Sequence, residues 1–365
     1  MNEKIVHVDV EDNYRLVVIS DVHGDVDTLD RLLGKLNLEK EDYLILLGDF
    51  LNRGPKNYET YVYVRELGKR DRTLIMKGNH ESFMQRHLAE NEHIEYFVDF
   101  LKAEYYETMI SELVKMAGHE VQAVENGADL VAKVGPRGAE VRTYLASLPI
   151  LAYFDDMILV HGGYNKDYTM EDNETDYLKY DSYNATAEAN EKTVIVGHWP
   201  ASELRNDCLS NLPFHNEEKK IISIDGGNVI KDSGELNAFI IEKRDGQVIH
   251  SLVQENNFKP MRVVRNHHFE TEPLVYLTYP NHEVELVEQG AVWSVCRQIS
   301  TGKTFRVFSS LIEERDQGHD IRVNYINRFL NLSVGETVQV AKAFEDCVMV
   351  KYGDEFGWLW VDQVG

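Results

Sequence analysis

The sequence predicts an α/β region followed by a small all-β region. Three observations lead to this prediction. Over residues 14–80, short apolar runs alternate with helical patterns, which implies a parallel sheet. Polar residues follow each run directly, at the sheet edge where ligands bind in open α/β sheets. From about residue 273 the pattern changes to short strands between turns, which is typical of a small barrel or sandwich.

The first segment has the order strand, helix, strand, helix, strand. Its apolar runs at 16–19, 43–47 and 73–76 have the length of buried strands. Leucines recur three or four residues apart over 29–36, which predicts a helix with one apolar face, and a second helix is predicted around 61–67. We expect the three strands to lie parallel in one sheet.

Residues 82–148 are expected to form a helical insertion. A stripe of apolar residues at helical spacing predicts a helix packed on the core. The alternative is a cap over the functional site, with Tyr96 or Tyr106 touching the substrate. The stripe consists of Ile94, Phe97, Leu101, Tyr105, Met109 and Leu113.

Strand patterns return after the insertion. Apolar runs at 157–160, 193–196 and 221–224 are each followed by small or polar residues. Two further strands, at 236–242 and 247–253, are predicted to form a hairpin with Arg244-Asp245-Gly246 as its turn.

The change of pattern also predicts two domains in this chain of 365 residues. We expect the α/β domain over 1–262 and the all-β domain over 270–365. The segment 262–272, with His267 and His268, is the expected linker. Trp358 and Trp360 alternate, so one ring could be buried and the other could face a peptide or protein partner; packing of both rings inside the domain is the alternative.

The acidic composition limits the classes of partner. The formal net charge is −24 at pH 7, so the surface repels nucleic-acid backbones and anionic membranes. The chain does not begin with a signal-peptide pattern, and no apolar run is long enough to span a bilayer. Its three cysteines are widely spaced. We therefore expect a cytoplasmic protein with free thiols.

Six polar side chains stand at the ends of the predicted strands. Their oxygen and nitrogen atoms, with no thiolate among them, suit manganese, iron, zinc or a similar divalent metal. Six ligands are too many for one metal that keeps open positions, so we expect two metals that share a carboxylate. Such a pair clamps the attacking and leaving oxygens of a phosphoryl transfer. The six residues are Asp21, His23, Asp49, Asn79, His161 and His198.

The motifs around these residues resemble the five signatures of calcineurin-like metallophosphoesterases. The resemblance covers about residues 14–254 and implies a two-sheet αββα sandwich with the helical insertion. Arg53-Gly54 and the Gly-Asn-His-Glu sequence are similar to the phosphoprotein phosphatase branch, which includes bacterial Ser/Thr protein phosphatases and symmetrical diadenosine tetraphosphatases. Residues 147–150 also resemble the bacterial members, and 357–360 resembles bacterial SH3-like modules. The five motifs are Asp21-Val22-His23-Gly24, Gly48-Asp49-Phe50-Leu51-Asn52-Arg53-Gly54, Gly78-Asn79-His80-Glu81, His161-Gly162-Gly163 and Gly197-His198.

The resemblance implies a dinuclear metal centre and direct hydrolysis. Two divalent ions are implied, manganese first, with iron, zinc, nickel or cobalt as alternatives. A water that bridges the metals is the implied nucleophile, so no phosphoenzyme is expected. The implied ligands are Asp21 and His23 for the first metal, Asp49 as the bridge, and Asn79, His161 and His198 for the second.

Catalytic roles follow from the resemblance in the same way. His80 is the implied general acid, and Arg53 the implied phosphate-binding residue. Protein phosphatases usually have an Asp where this chain has Asn52, whose amide oxygen can accept a hydrogen bond from His80 but carries no charge. We therefore predict a pKa of His80 below that of those relatives. A second phosphate-binding arginine is missing; Lys179 either replaces it as a point charge or is a surface lysine.

Four functions remain open on the sequence alone. The first is a phosphatase that acts on phosphoserine or phosphothreonine in proteins. The second is a hydrolase of dinucleoside polyphosphates, favoured slightly because the tetraphosphatases also lack the Asp at position 52. The third is a non-catalytic binding module on a degenerate phosphatase fold, which the intact metal ligands oppose. The fourth is a phosphodiesterase.

Overall fold

The computed structural model describes residues 4–166, 174–266, 268–270 and 272–365. The chain divides into two compact units. The second unit takes in two segments that precede residue 236, whereas the sequence-based ranges 1–262 and 270–365 assume a single boundary; those ranges stay a prediction. The first unit consists of the described residues of Met1–Pro200, Pro213–Val229 and Leu236–Glu255, and the second of those of Ala201–Leu212, Ile230–Glu235 and Asn256–Gly365.

The first unit contains strands and helices in alternation. Its described strands are β1 (Ile5–Val8), β2 (Tyr14–Ile19), β3 (Tyr43–Leu46), β4 (Thr73–Ile75), β5 (Leu151–Phe154), β6 (Met157–Val160), β7 (Thr193–Val196), β8 (Phe214–Asn216), β9 (Ile221–Ser223), β10 (Leu236–Arg244) and β11 (Gln247–Glu255). Its described α-helices are α1 (Val26–Leu36), α2 (Asn57–Leu67), α3 (Asn79–His87), α4 (Ile94–Lys102), α5 (Met109–Met116), α6 (Gly127–Ser147), α7 (Glu174–Leu178) and α8 (Tyr183–Thr186). A 3-10 turn lies at Val121–Ala123.

Five strands form the first sheet, in the order β11-β10-β2-β3-β4. Strands β2, β3 and β4 are parallel, as the alternating pattern predicted. The hairpin β10–β11 is confirmed, and β10 joins β2 in antiparallel orientation. Asp245 and Gly246 both have positive φ at its turn, which matches the twist of two-residue hairpins.

Six strands form the second sheet, in the order β1-β5-β6-β7-β9-β8. Strands β6, β7 and β9 are parallel, so their carboxyl ends share one edge. Strand β5 is antiparallel to β6 and parallel to β1.

The two sheets pack face to face between layers of helices. Side chains alternate along β2, so Leu16 and Val18 pack with residues of the second sheet, whereas Val17 and Ile19 pack with the helices. The other face of the second sheet is covered by Tyr177 and neighbouring apolar residues of α7 and α8. The expected αββα sandwich is therefore confirmed.

The insertion is helical, but the predicted apolar stripe is not one continuous helix. Helix α4 ends at Lys102, and α5 begins at Met109 after its N-cap residue Thr108. Tyr105 lies between the two helices and is 76% exposed, so its assignment to the buried stripe was wrong. The backbone of Glu104, just past the end of α4, is left-handed, and Glu107 forms an isolated β-bridge with Arg53.

The second unit confirms the expected all-β C-terminal region. Its described strands form three antiparallel sheets, in the orders β12-β20-β21-β22, β13-β19 and β16-β15-β14-β18-β17. They are β12 (Lys259–Arg262), β13 (Tyr276–Leu277), β14 (Glu283–Glu288), β15 (Trp293–Gln298), β16 (Thr304–Phe308), β17 (Ile312–Arg315), β18 (Gly318–Ile321), β19 (Tyr325–Ile326), β20 (Thr337–Ala343), β21 (Cys347–Tyr352) and β22 (Glu355–Trp360). Short 3-10 turns lie at Ala201–Leu204, Ser309–Leu311 and Val361–Gln363.

The start of the all-β region and its two alternating tryptophans can be compared with the expectations from the sequence. The expected linker 262–272 starts too early, because Arg262 belongs to β12 and Val263 is buried in this unit; His267 lies outside the described residues. Trp358 is fully buried, and Trp360 packs against neighbouring aromatic rings, so both rings pack within the unit.

None of the helices in the described part of the chain has the length and hydrophobicity that a membrane crossing requires. The three cysteines are free. Burial raises the pKa of Cys347 to about 12, so this thiol is unreactive at neutral pH.

Candidate metal centre

Five of the six predicted ligands lie in loops that follow strands of the two sheets, and Asn79 is the first residue of α3. Four of them have a left-handed backbone, which turns each side chain sharply out of its strand direction. Non-glycine residues adopt this conformation at a cost, so it marks loops whose shape is fixed by their surroundings. The four are Asp21, His23, Asp49 and His198.

Glycines allow these loops to approach each other closely. A side chain at Gly54 would overlap the backbone oxygen of His23, and one at Gly78 would overlap the carboxylate of Asp49. Both positions therefore need a residue without a Cβ atom. This explains why glycine accompanies the ligands in the motifs.

The structure brings the ligand atoms into two groups. One group consists of His23, Asp49 and His80, the other of Asp49, His161 and His198, and within each group the candidate ligand atoms lie within 4.8 Å of one another. Asp49 is common to both groups. A carboxylate in this position can bridge two cations, as the sequence predicted.

Asn79 completes the second group. Its Oδ1 lies 3.0 Å from Nε2 of His161, and Oδ2 of Asp49 lies 3.2 Å from the same nitrogen. Three ligand atoms therefore converge on one point. Nδ1 of His161 lies 2.8 Å from the backbone oxygen of Leu47, to which it can donate, so Nε2 is the nitrogen that faces the group.

Asp21 joins the first group from the neighbouring loop. Its Oδ2 accepts the backbone N–H of His198 at 3.0 Å and also contacts the hydroxyl of Ser20. Its Oδ1 is buried, lies 3.7 Å from Nε2 of His23, and has no hydrogen-bond partner in the part of the chain that the structure describes. A buried carboxylate oxygen without a donor is well suited to bind a cation.

The electrostatic environment also fits a cation. Burial alone would lower the pKa of His161, yet the carboxylates of Asp49 and Asp21 raise it to about 10. Burial lowers the pKa of His23 to about 3, which keeps this imidazole neutral and able to act as a ligand. The residues therefore fit two divalent metal ions.

Of the predicted catalytic residues, His80 belongs to the first group, and Asn52 and Arg53 contact its ring. Burial, followed by the charge of Arg53, lowers the pKa of His80 to about 4 against the opposing effect of Asp49. Nε of Arg53 lies 3.5 Å from Nε2 of His80, and the Arg53 side chain is exposed. Nδ2 of Asn52 lies 3.0 Å from Nδ1 of His80. The predicted acceptor role of Asn52 towards His80 was wrong, because its oxygen accepts the N–H of Met109 instead.

Lys179 pairs with another charged residue of the centre. Its ammonium lies 2.6 Å from a carboxylate oxygen of Asp181, and Asp181 lies 2.7 Å from Nε2 of His198. Lys179 is thus linked to the predicted ligand His198 through Asp181. Its role in binding phosphate stays a prediction.

Sequence reasoning gave no role to two residues of the centre. Asp181 holds Nε2 of His198, which leaves Nδ1 of this ring for a metal. Glu81 is fully buried and accepts three backbone N–H groups, those of Asp49, Leu51 and Gly78. The position of Glu81, three residues after Gly78 at the start of α3, is a capping-box signal that could have revealed it. Asp181 carries no comparable sequence signal.

A comparison with known families decides what this centre belongs to. The sequence profile of the calcineurin-like phosphoesterases matches residues 14–223, which is more than half of the chain. The chain belongs to the calcineurin-like phosphoesterases. The family expected from the motifs is confirmed, and the matched range contains all six predicted metal ligands.

Several proteins of known name are similar to this calcineurin-like phosphoesterase. A symmetrical bis(5'-nucleosyl)-tetraphosphatase from Vibrio campbellii is 27% identical over 147 residues, which cover 40% of this chain and 43% of that protein. One from Hamiltonella defensa is 46% identical over 65 residues, 18% of this chain and 23% of that protein. A solved protein serine/threonine phosphatase from Saccharomyces cerevisiae is 13% identical, with a TM-score of 0.41, over 71% of this chain and 86% of that one. The chain spans less than half the length of the two tetraphosphatases.

Proposed function

We propose that this chain is a metal-dependent phosphatase that hydrolyses phosphate esters at a centre of two divalent cations. The observation that carries this proposal is the position of Asp49, which belongs to both groups of ligand atoms. The unpartnered Oδ1 of Asp21 supports it, since it offers a further oxygen to a cation. Manganese is the proposed metal, with iron, zinc, nickel or cobalt as alternatives.

Residues around the centre are given roles in this proposal for the hydrolysis of a phosphate ester. When bound, the cations would supply an acidified water as the nucleophile and neutralise charge on the phosphate. The guanidinium of Arg53 would bind two phosphate oxygens through its planar fork of donors. His80, 3.5 Å from Arg53, would donate a proton to the leaving oxygen.

The proposed substrate is phosphoserine or phosphothreonine in a protein. The alkoxide of serine or threonine is a strongly basic leaving group, so its departure needs a proton donor such as His80. The exposed side chain of Arg53 supports this proposal, because a phosphate carried on a protein surface has to reach it. The net charge of −24 disfavours acidic target segments.

Dinucleoside polyphosphates are the second candidate substrate. Two curated relatives are symmetrical bis(5'-nucleosyl)-tetraphosphatases, although the matches cover less than half of each. A nucleoside diphosphate leaves as a stable anion and needs less help from an acid, which fits the low pKa of His80, about 4. Asn52, which brings no charge to His80, favours the same candidate.

Product analysis of the manganese-loaded protein separates the candidates. We expect release of inorganic phosphate from a phosphoserine peptide at a kcat/KM far above that for cleavage of diadenosine tetraphosphate. The reverse ranking, with two equal nucleoside diphosphates as products, would establish the second candidate. Asp49→Asn is the control, since both activities should disappear with the shared ligand. Failure of the wild type to cleave any aryl phosphate would instead favour a binding module.

The remaining expectations are proposals as well. We propose that the protein acts in the cytoplasm and that the all-β unit binds a peptide or protein. Because Trp358 and Trp360 pack within that unit, the binding surface would involve other residues. Removal of residues 256–365 is not a suitable test, since the first unit has not been shown to fold alone; pull-down with the full chain is preferable.

A further inference from the structure

The segment between α4 and α5 of the insertion lies against the loop that carries Asn52 and Arg53. The backbone N–H of Arg53 donates to the backbone oxygen of Glu107 at 2.7 Å. The backbone N–H of Met109 donates to Oδ1 of Asn52 at 2.9 Å. Two hydrogen bonds therefore attach the insertion to the proposed catalytic loop.

Tyr106 stands at the centre of this contact. The guanidinium carbon of Arg53 lies 4.8 Å from the centre of the Tyr106 ring, within cation–π distance. The ring of His80 lies 6.0 Å from the same ring, and Phe100 of α4 packs edge-on against it at 5.5 Å. Tyr106 thus touches both residues to which the proposed function gives a role in binding and protonating the substrate.

The two residues that follow Tyr106 are fixed by contacts with α5. The carboxylate of Glu107 pairs with Lys115 at 2.6 Å and accepts the hydroxyl of Ser111 at 3.1 Å. Thr108 caps α5 by accepting the backbone N–H of Ser111 at 3.0 Å. Tyr106 thus lies in the segment between α4 and α5, and the two residues that follow it are tied to the first turn of α5.

Arg53 has an unfavourable backbone conformation and an exposed side chain, so contacts that order it matter. Asn52 and Arg53 both have positive φ, at 69° and 73°, a conformation that residues with side chains adopt at a cost. The Arg53 side chain is exposed, so without a neighbour its several rotatable bonds would leave the guanidinium free to move. A ligand that orders such a side chain on binding loses affinity, because the side chain loses conformational entropy. A side chain that is already ordered in the free protein does not incur this cost.

We propose that Tyr106 is a positioning residue that holds the guanidinium of Arg53 towards the metal centre for phosphate binding. The proposal rests on the proposed function, because it takes Arg53 as the residue that binds the phosphate. It assigns the helical insertion a part in the site, through one aromatic ring. The hydroxyl of Tyr106 is not required, since Arg53 contacts the face of the ring.

The test is a double-mutant cycle on the manganese-loaded full chain. Binding of inorganic phosphate is measured by calorimetry, and hydrolysis of an aryl phosphate by steady-state kinetics, for Tyr106→Leu, Arg53→Ala and the double variant. We expect Tyr106→Leu to weaken phosphate binding and raise KM about two- to fivefold, the scale of an exposed cation–π contact. Tyr106→Phe should behave as the wild type.

The decisive result is the effect of Tyr106→Leu in the Arg53→Ala background. A positioning residue that acts through Arg53 has no effect there, whereas an equal loss in both backgrounds would overturn the proposal. Tyr105→Leu is the matched control, because it removes the exposed neighbouring ring, which contacts Phe100 and not Arg53. A loss in Tyr105→Leu equal to that in Tyr106→Leu would also overturn it.

Two precautions keep the outcome clear. Melting temperatures show whether a variant is folded, and Tyr106→Met replaces Tyr106→Leu if the latter is not. The phosphate-binding measurement does not depend on turnover. If the wild type hydrolyses no ester, the proposed function fails while the calorimetric cycle still decides the role of Tyr106.

Discussion

The amide oxygen of Asn52 accepts the backbone N–H of Met109 at 2.9 Å, and its amide nitrogen therefore faces Nδ1 of His80 at 3.0 Å. His80 thus receives a hydrogen bond where an Asp in the same place would accept one. Donation to Nδ1 favours the neutral imidazole, as do burial and the charge of Arg53. The Nε–H of Arg53 is directed at Nε2 of the same ring at 3.5 Å, so both ring nitrogens of His80 face donors, which disfavours the protonated ring.

Replacing Asn52 with Asp is the first test of this arrangement. Asp also tolerates the positive φ of this position and can still accept the N–H of Met109. Its second oxygen would bring a negative charge to Nδ1 of His80. We expect the pKa of His80 to rise by about one to three units. The basic limb of the pH dependence of kcat/KM should move to higher pH, because His80 with the raised pKa stays protonated up to a higher pH.

Asn126→Asp is the control for the added charge. Asn126 caps α6, a role that Asp fills equally well, and it does not contact His80. Its pH profile should match the wild type. An unchanged profile for Asn52→Asp would show that residue 52 does not tune His80.

The role of His80 itself is the second prediction. His80 lies within 4.8 Å of ligand atoms of His23 and Asp49, so proximity alone also allows it to bind a metal. The family resemblance instead makes it the general acid. We expect His80→Asn to lower kcat by about 10²- to 10⁴-fold, the range for loss of a general acid, while two metal ions per chain are retained in elemental analysis. Loss of one metal ion would make His80 a ligand and refute its assignment as the acid.

The sequence was sufficient to predict that the six candidate ligands lie together, for a physical reason. Each of the six lies within four residues of the end of a strand, and the carboxyl ends of parallel strands share one edge, so these side chains meet although they are far apart in the sequence. The αββα layers followed in the same way from apolar runs of strand length. The strands and helices whose apolar residues recur at a regular spacing were therefore predictable.

The contacts that orient these residues were not predictable. Asn52 and Met109 are 57 residues apart, and their hydrogen bond exists only because the apolar stripe breaks after Lys102. The sequence offers no sign of this break, since Tyr105 has the right spacing and an aromatic side chain. The break coincides with the left-handed backbone of Glu104 and is followed by the bridge between Arg53 and Glu107, a contact outside the helix.

Asp181 is the subject of the third prediction. Its carboxylate holds Nε2 of His198 at 2.7 Å, and partners of this kind orient a metal-binding imidazole. We expect Asp181→Asn to weaken manganese binding by about 10- to 100-fold in a competition titration. Activity should return at high manganese concentration, because the substitution leaves all six predicted ligands in place.

Lys179→Met is the matched control for Asp181. It removes the other partner of the Asp181 carboxylate without touching His198. Its manganese affinity should stay close to that of the wild type. A KM that rises for Lys179→Met at full manganese occupancy would assign phosphate binding to Lys179. Unchanged manganese affinity in Asp181→Asn would rule out the orienting role of Asp181.

Glu81 provides the fourth prediction, which concerns stability. Its buried carboxylate accepts the N–H groups of Asp49, Leu51 and Gly78. Gln at this position keeps one oxygen and turns an NH₂ group towards a backbone N–H. We expect the free energy of unfolding in urea to fall by about 1–3 kcal/mol, the cost of leaving a buried polar group without its partner.

Glu112→Gln is the comparison for Glu81→Gln. Glu112 is less buried and accepts the N–H of Tyr58 at 3.1 Å. Gln can keep that bond with its remaining oxygen, and fewer backbone N–H groups depend on Glu112 than on Glu81, so a smaller loss is expected. Equal losses in the two variants would mean that the three loop hydrogen bonds are not what makes Glu81 important.

His87 gives the last prediction, which concerns the pH dependence of stability. Its ring stacks on Phe97 with centres 4.3 Å apart, and burial, followed by the charges of Arg86 and His93, lowers the pKa of His87 from 6.5 to about 4. As the pH falls below 6.5, the unfolded chain binds a proton at this site before the folded chain does, so stability falls until about pH 4 and no further below it. His87→Phe keeps an aromatic ring against Phe97 and removes this proton, so urea unfolding of this variant should lose less stability between pH about 7 and about 4.5 than the wild type. Parallel loss in both proteins would contradict the neutral state of His87, because every other titrating group is common to the two.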